Sequence, residues 1–137
     1  MKFQPKTEAE IAESNLWPAG EYDFGVIDAT EKVSKSGNPM VEVGLAVYNE
    51  EGQQRRVTDY LMEAMAFKLR HFCEAVGLLH EYEAGMLDPD ALVGKTGRVV
   101  LKQDPARDGY NPKNSVKDYV VGAVATKRVD LDDELPW

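Results

Sequence analysis

Apolar and polar positions alternate with a period of two through "GEYDFGVIDATEKV", residues 20–33. Tyr22, Phe24 and Val26 fall on one face there, Asp23 and Gly25 on the other. This is the pattern of a strand. "SKSGNP" breaks it at Ser36, Gly37, Asn38 and Pro39, four turn-forming residues in a row. Alternation resumes in "MVEVGLAVYNEEG", with Val41, Val43, Leu45 and Val47 pointing one way and Met40, Glu42, Gly44, Ala46 and Tyr48 the other. A turn at Glu51-Gly52 joins it as a hairpin to a third strand in "QQRRVTDYLM".

The period then changes. Met65, Leu69, Phe72, Cys73, Val76 and Leu79 recur at helical spacing, which predicts one amphipathic helix closing at Gly77 to Leu79. "LDPDALVG" predicts a single capped turn, with Asp88 as cap, Pro89 at the first helical position and Gly94 as the stop. "TGRVVLKQ" gives a fourth strand, "DPARDGYNPKN" a polar loop and "SVKDYVVGAV" a fifth strand. Ahead of all these, Thr7 and Glu10 form a capping-box pattern in an arm that Pro18 ends, and Trp17 is placed to plug one end of the core. The order of three strands, a helix and two strands predicts an all-β fold with one main helix: a five-stranded OB-fold barrel, the helix lying between strands three and four. Closing five short strands on themselves also removes exposed sheet edges. The expected organisation is an arm over residues 1–19, the barrel over 20–125 and a flexible acidic tail over 126–137.

Length and composition narrow the function. A chain of 137 residues suits one domain, and 43% hydrophobic with 29% charged residues is too apolar for a disordered protein. One cysteine, Cys73, and no apolar leader point to a reducing, cytoplasmic setting, and no apolar run reaches the roughly 20 residues of a membrane helix. The net charge is −8, and half of that excess sits in residues 130–137, which hold four acids and no base. Binding to a polyanion would then depend on local basic loops rather than on the overall field.

Catalytic and metal chemistry find little support. His71 and Cys73 are two apart on a helix, about 200° around it, and cannot share a zinc ion with His80. The acid pairs Asp88/Asp90 and Asp132/Asp133 suit a helix cap and a solvated tail. No catalytic residue, metal or cofactor is assigned.

Basic and aromatic residues interleave instead. "KVSKSGNPMV", from Lys32 to Val41, has two bases and no acid; "PARDGYNPKNSVK", from Pro105 to Lys117, has three bases against Asp108, with Tyr110 among them. In an OB-fold these two loops flank the face of strands two and three, where oligonucleotides bind. Small residues at Gly44 and Ala46 would let bases approach, tyrosines would stack on them, and the loop bases would meet phosphates. The expected DNA-contacting set is Lys32, Lys35, Ser36 and Asn38 at the first loop, Tyr48 on the second strand, and Arg56 and Tyr60 on the third. Lys102, Arg107, Tyr110, Asn111, Lys113, Asn114, Lys117 and Tyr119 complete it between the fourth strand and the fifth.

Two resemblances extend this reading. The ending "DLDDELPW" resembles the acidic tip of bacterial single-stranded DNA-binding proteins, with Trp137 where that family has Phe and Leu135 where it usually has Ile. In that family the tip docks onto replication and repair proteins, so Asp132, Asp133, Glu134, Leu135, Pro136 and Trp137 are the partner-binding residues the resemblance implies. The body from Leu16 to about Val121 is similar to small bacteriophage single-stranded DNA-binding proteins in "LWPAGEYDFGVIDATEKVSKSGNPMVEV", "LVGKTGRVVL" and "YNPKNSVKDYV". It implies sequence-independent binding and protection of single strands during phage replication and recombination, in the cytoplasm of an infected bacterium. The long Gly-, Gln- and Pro-rich linker of the cellular family is missing, so tetrameric assembly is not carried over and homo-oligomerisation stays open. The alternatives are an OB-fold protein-interaction module whose tail mimics DNA and, further off, a metal-dependent nuclease.

Overall fold

The computed structural model describes residues 1–122, and the sequence pattern accounts for most of its elements. Strands β1 (Gly20–Val33), β2 (Pro39–Tyr48), β3 (Gln54–Met62), β4 (Thr96–Asp104) and β5 (Lys113–Tyr119) form one antiparallel sheet in the order β3-β2-β1-β4-β5. Strand β1 is the hub. Its pairing with β2 runs from Asp23 opposite Tyr48 to Val33 opposite Pro39, while only Gly20–Gly25 also pairs with β4. A register shift between Val26 and Asp28 falls just past that point, where an irregularity bends a strand and lets one sheet curl.

The curl gathers the alternating apolar set inside. Phe24, Val26, Val43, Leu45, Val47, Phe72, Cys73, Leu92, Val99 and Leu101 are all buried in one core cluster. Fully burying each of the larger of these side chains contributes about 1.5–3 kcal/mol, which sets the strand register firmly because a slip of one residue would turn the set outward. Trp17 covers the edge of this cluster, its ring 5.4 Å from that of Tyr22 and under the Arg55 guanidinium at 4.8 Å.

The helical parts need two corrections. Helix α1 (Glu8–Ser14) has the expected capping box, Thr7 with Glu10. Between β3 and β4, however, a 3-10 turn (Glu63–Met65) and two short helices, α2 (Ala66–Ala75) and α3 (Leu79–Glu83), replace the single helix, and the expected capped turn follows as α4 (Pro89–Leu92). Gly77 adopts φ +79°, and Leu78 N–H donates to the Cys73 carbonyl at 2.7 Å, so a left-handed glycine cap stops α2 before Leu79. Met65 stands outside the stripe and is exposed. Asp88 caps α4 as expected, accepting from Asp90 N–H. β5 starts two residues earlier than expected and stops at Tyr119.

The sheet is open, not the closed barrel expected. Among the described residues no ladder joins β3 to β5. Side chains tie these two edges instead. Asp59 of β3 accepts from Lys68 Nζ and from the Tyr119 hydroxyl of β5, each at 2.7 Å, and Lys68 also donates to the Val116 carbonyl at 3.1 Å. At the other end of the strands Arg55 Nη1 reaches Asn114 Oδ1 at 3.2 Å. Asp59 is buried; a carboxylate there is tolerable because both of its oxygens are satisfied and a cation adjoins it.

Candidate nucleic-acid interface

Strand register fixes where the two basic loops lie. Met40 opposes Met62 and Val33 opposes Pro39, so the β1–β2 loop stands at the C-terminal end of β3. Asp104 opposes Lys113, and the Arg55–Asn114 bond brings that end of β5 to the start of β3. The loops therefore occupy opposite ends of one outer face. Its rungs across β3 and β2 are Met62–Met40, Tyr60–Glu42, Thr58–Gly44, Arg56–Ala46 and Gln54–Tyr48.

The β1–β2 turn is held by its own side chains. Asn38 N–H donates to Ser34 Oγ, the hydroxyls of Ser34 and Ser36 are 3.0 Å apart, and Asn38 Nδ2 donates to Ser36 Oγ at 3.3 Å. Ser36 and Asn38 thus serve the turn, and Lys35 is exposed above it without an ion pair among the described residues. In the β4–β5 loop, Arg107 and Tyr110 exchange backbone hydrogen bonds of 3.2 and 2.8 Å around Asp108 and Gly109, both at positive φ. That is a two-residue turn with two left-handed residues, the kind Asp-Gly favours. It leaves the Tyr110 ring 78% exposed beside a cleft also lined by Arg107, Asn111 and Lys113.

The face between the loops is aromatic at one rung and self-paired in charge. Tyr60 is 41% exposed. Next to it Lys32 and Glu42 approach to 2.6 Å; the hydrogen bond from the Lys32 ammonium holds the Glu42 carboxyl below its usual range, and the same bond raises Lys32 in turn. Arg56 meets Asp28 at 2.8 Å across the bare backbone of Gly44. A Cβ at Gly44 would stand 2.5 Å from Arg56 Nη2 and 2.6 Å from Asp28 Oδ1. The space expected to admit a base thus holds an ion pair, one exposed enough to swing aside at little cost. Ala46 is fully buried and Tyr48 half-buried.

Two expected contact residues are held by the protein itself, Tyr119 in the core and Asn114 half-buried against the arm. Tyr119 is 3% exposed, packs edge-on against Phe24 and Phe72, and gives its hydroxyl to Asp59, so it offers no stacking surface. Burial, then the charge of Asp59, pushes its hydroxyl well above the usual range. Asn114 clasps the arm: its Oδ1 accepts from Trp17 N–H and its Nδ2 donates to the Trp17 carbonyl, both at 2.9 Å. That commits its amide to the arm rather than to DNA. Lys102, 3.7 Å from Asp104, is exposed on β4, and Lys113 and Lys117 are exposed on β5. The six tip residues, Asp132 to Trp137, lie outside the described residues.

Phe67 is a surface feature that the sequence reading does not single out. It is 84% exposed on α2 and lines a cleft with Met65, Lys68, Lys117 and Asp118. The signal is available, since Phe67 sits off the apolar stripe of Leu69, Phe72, Cys73 and Val76, where a soluble helix normally carries polar side chains. His71 lies one turn on and bonds Asp118 at 2.8 Å, while Cys73 faces the core. Two buried charges also escape the sequence pattern, Asp59 and Asp23, the latter 2.6 Å from Arg98. Alternation reads a strand's faces but says neither that an acid, Asp59, stands on the inner one nor that Asp23, on the opposite face of β1 from Phe24, is covered.

No family model matches the sequence, and no curated protein matches it either.

Proposed function

We propose that this chain is an OB-like, non-catalytic domain that binds single-stranded DNA without sequence preference, the strand crossing the outer face of β2 and β3 from one basic loop to the other. One observation carries the reading: two loops bearing uncommitted bases, Lys35 and Lys113, stand at opposite ends of a single strand face that presents Tyr60 between them and Tyr110 at its rim. Bases stack on the aromatic rings and phosphates meet the loop ammonium groups. The paired charges of the face suit bases rather than phosphates lying over it. The strand order and the proximity of β3 to β5 support the OB-like assignment, with side-chain bonds standing where a barrel has its last ladder.

In this reading the protein covers single strands during phage replication and recombination in the bacterial cytoplasm, and its acidic tip recruits replication and recombination proteins. A second reading is favoured by the same charge pairing and by the acid excess of residues 1–122, 14 bases against 20 acids: an OB-like module that binds protein rather than DNA. Fluorescence anisotropy of labelled oligothymidylate, with duplex and mixed-sequence single strands as competitors, separates them. Single strands of any sequence should compete and duplex should not. Absence of binding at low salt would leave the protein-binding module as the reading.

A further inference from the structure

The arm ahead of Trp17 is built but covers nothing. Helix α1 has a complete capping box yet no buried residue, and Ile11 on it and Phe3 before it are exposed. An isolated helix shorter than about 12 residues is marginal in water, so seven residues gain their stability only by packing on something. The segment before it, "MKFQPKT", carries Lys2 and Lys6 around Phe3 and has no acid. It is a basic, apolar peptide on an acidic protein.

A receptor of the opposite character lies elsewhere on the same chain. Between α2 and the α3–α4 connection runs a groove of about 430 Å³, lined by Leu69, Tyr82 and Leu87 and flanked by Glu63 and Glu83. Met86 is exposed at its lip, and neither glutamate has an ion-pair partner among the described residues. The groove adjoins the C-terminal end of β3. The arm is anchored at the other end of that strand, where Asn114 holds Trp17 and Arg55. The two ends of β3 are roughly 25–30 Å apart at strand rise. The lining of the groove includes no residue of the arm and Phe3 is exposed, so the arm does not fill the groove of its own copy.

We propose that the arm of one copy docks in the α2–α3 groove of a second copy, Phe3 entering the apolar floor while Lys2 and Lys6 meet Glu63 and Glu83. Reciprocal exchange of two arms closes a two-fold dimer, the commonest symmetric assembly. The inference is independent of what the strand face binds.

Sedimentation velocity of the full chain over a concentration series tests it. The unmodified chain should sediment as a dimer. Lys2→Glu with Lys6→Glu should weaken the dimer by about 10-fold or more, because like charges would then face each other across the rim, and Glu63→Lys with Glu83→Lys should do the same. All four substitutions together should restore dimerisation. These side chains are exposed or on the groove rim, and circular dichroism checks that each variant is folded. A chain that is monomeric at every concentration, a dimer indifferent to Lys2 and Lys6, or a quadruple variant no better than either double variant would overturn the proposal.

Discussion

Tyr60 and Tyr119 stand on the same side of the sequence argument and on opposite sides of the protein wall. Tyr60→Ala removes an exposed ring and should weaken single-strand binding by about 1–3 kcal/mol with the fold intact, read by anisotropy titration. Tyr119→Phe should leave binding unchanged and lower stability by about 1–3 kcal/mol in urea denaturation, because a buried Asp59 oxygen loses its donor. A further signature lies in alkali. Burial raises Tyr119 above its ordinary 10.0 and pushes the Cys73 thiol from 9.0 up to about 11. For both groups the folded protein holds a proton that the unfolded chain gives up first, so their contribution is complete below the unfolded values and drains away as pH rises through the folded ones. Urea stability should therefore fall from about pH 9 upward, and Tyr119→Phe should flatten the part of the fall above about pH 10. An identical slope in that variant would dissociate the tyrosine from the effect.

The strands were legible because alternation is a local property: each apolar position of β2, from Val41 to Val47, names its face without reference to any other element. The break at Ser36–Pro39 was legible for the same reason, since the residue types dictate the backbone, whereas the two-residue turn at Asp108–Gly109 was legible only as part of a polar loop. Pairings set by distant partners were not. Nothing near Asn114 in the sequence announces Trp17, 97 residues away, and nothing near Gly44 announces that Asp28 and Arg56 close over it. The helical connection resists reading because a stripe can continue past the glycine that ends its helix. Of the expected DNA-contacting set, most of the exposed members lie at or beside the two loops, and the loops make the sharper test. Replacing Lys35 and Lys113 together with Ala should lower affinity for every sequence and reduce the slope of log K against log salt by about 0.7 for each phosphate left without its ammonium. A slope equal to that of the unmodified protein would exclude these lysines from the interface.

The whole molecule is acidic, so any polyanion it binds must be met by a minority of its surface. Salt dependence should accordingly be modest for a DNA-binding protein, set by a few lysines rather than by the net field. In the proposed reading the acidic residues 130–137 compete with DNA for those same loops. Removing them should keep or modestly raise single-strand affinity while abolishing capture of partner proteins, and Trp137→Ala should abolish capture alone. Loss of DNA binding on truncation would contradict this division of labour.

The seam between β3 and β5 gives the molecule an uneven clock. Strand β2 and the Asp23–Gly25 stretch of β1 have a ladder neighbour on both sides, whereas β3 and β5 have one on a single side and, across the seam, a few side-chain ties centred on Asp59. Opening the seam needs those ties released rather than a sheet dismantled. In deuterated water the edge amides of β3 and β5 should exchange by local opening, orders of magnitude sooner than those of Asp23–Gly25 in β1, which wait for global unfolding. A strand bound across the adjoining face would slow the edge and leave the hub untouched.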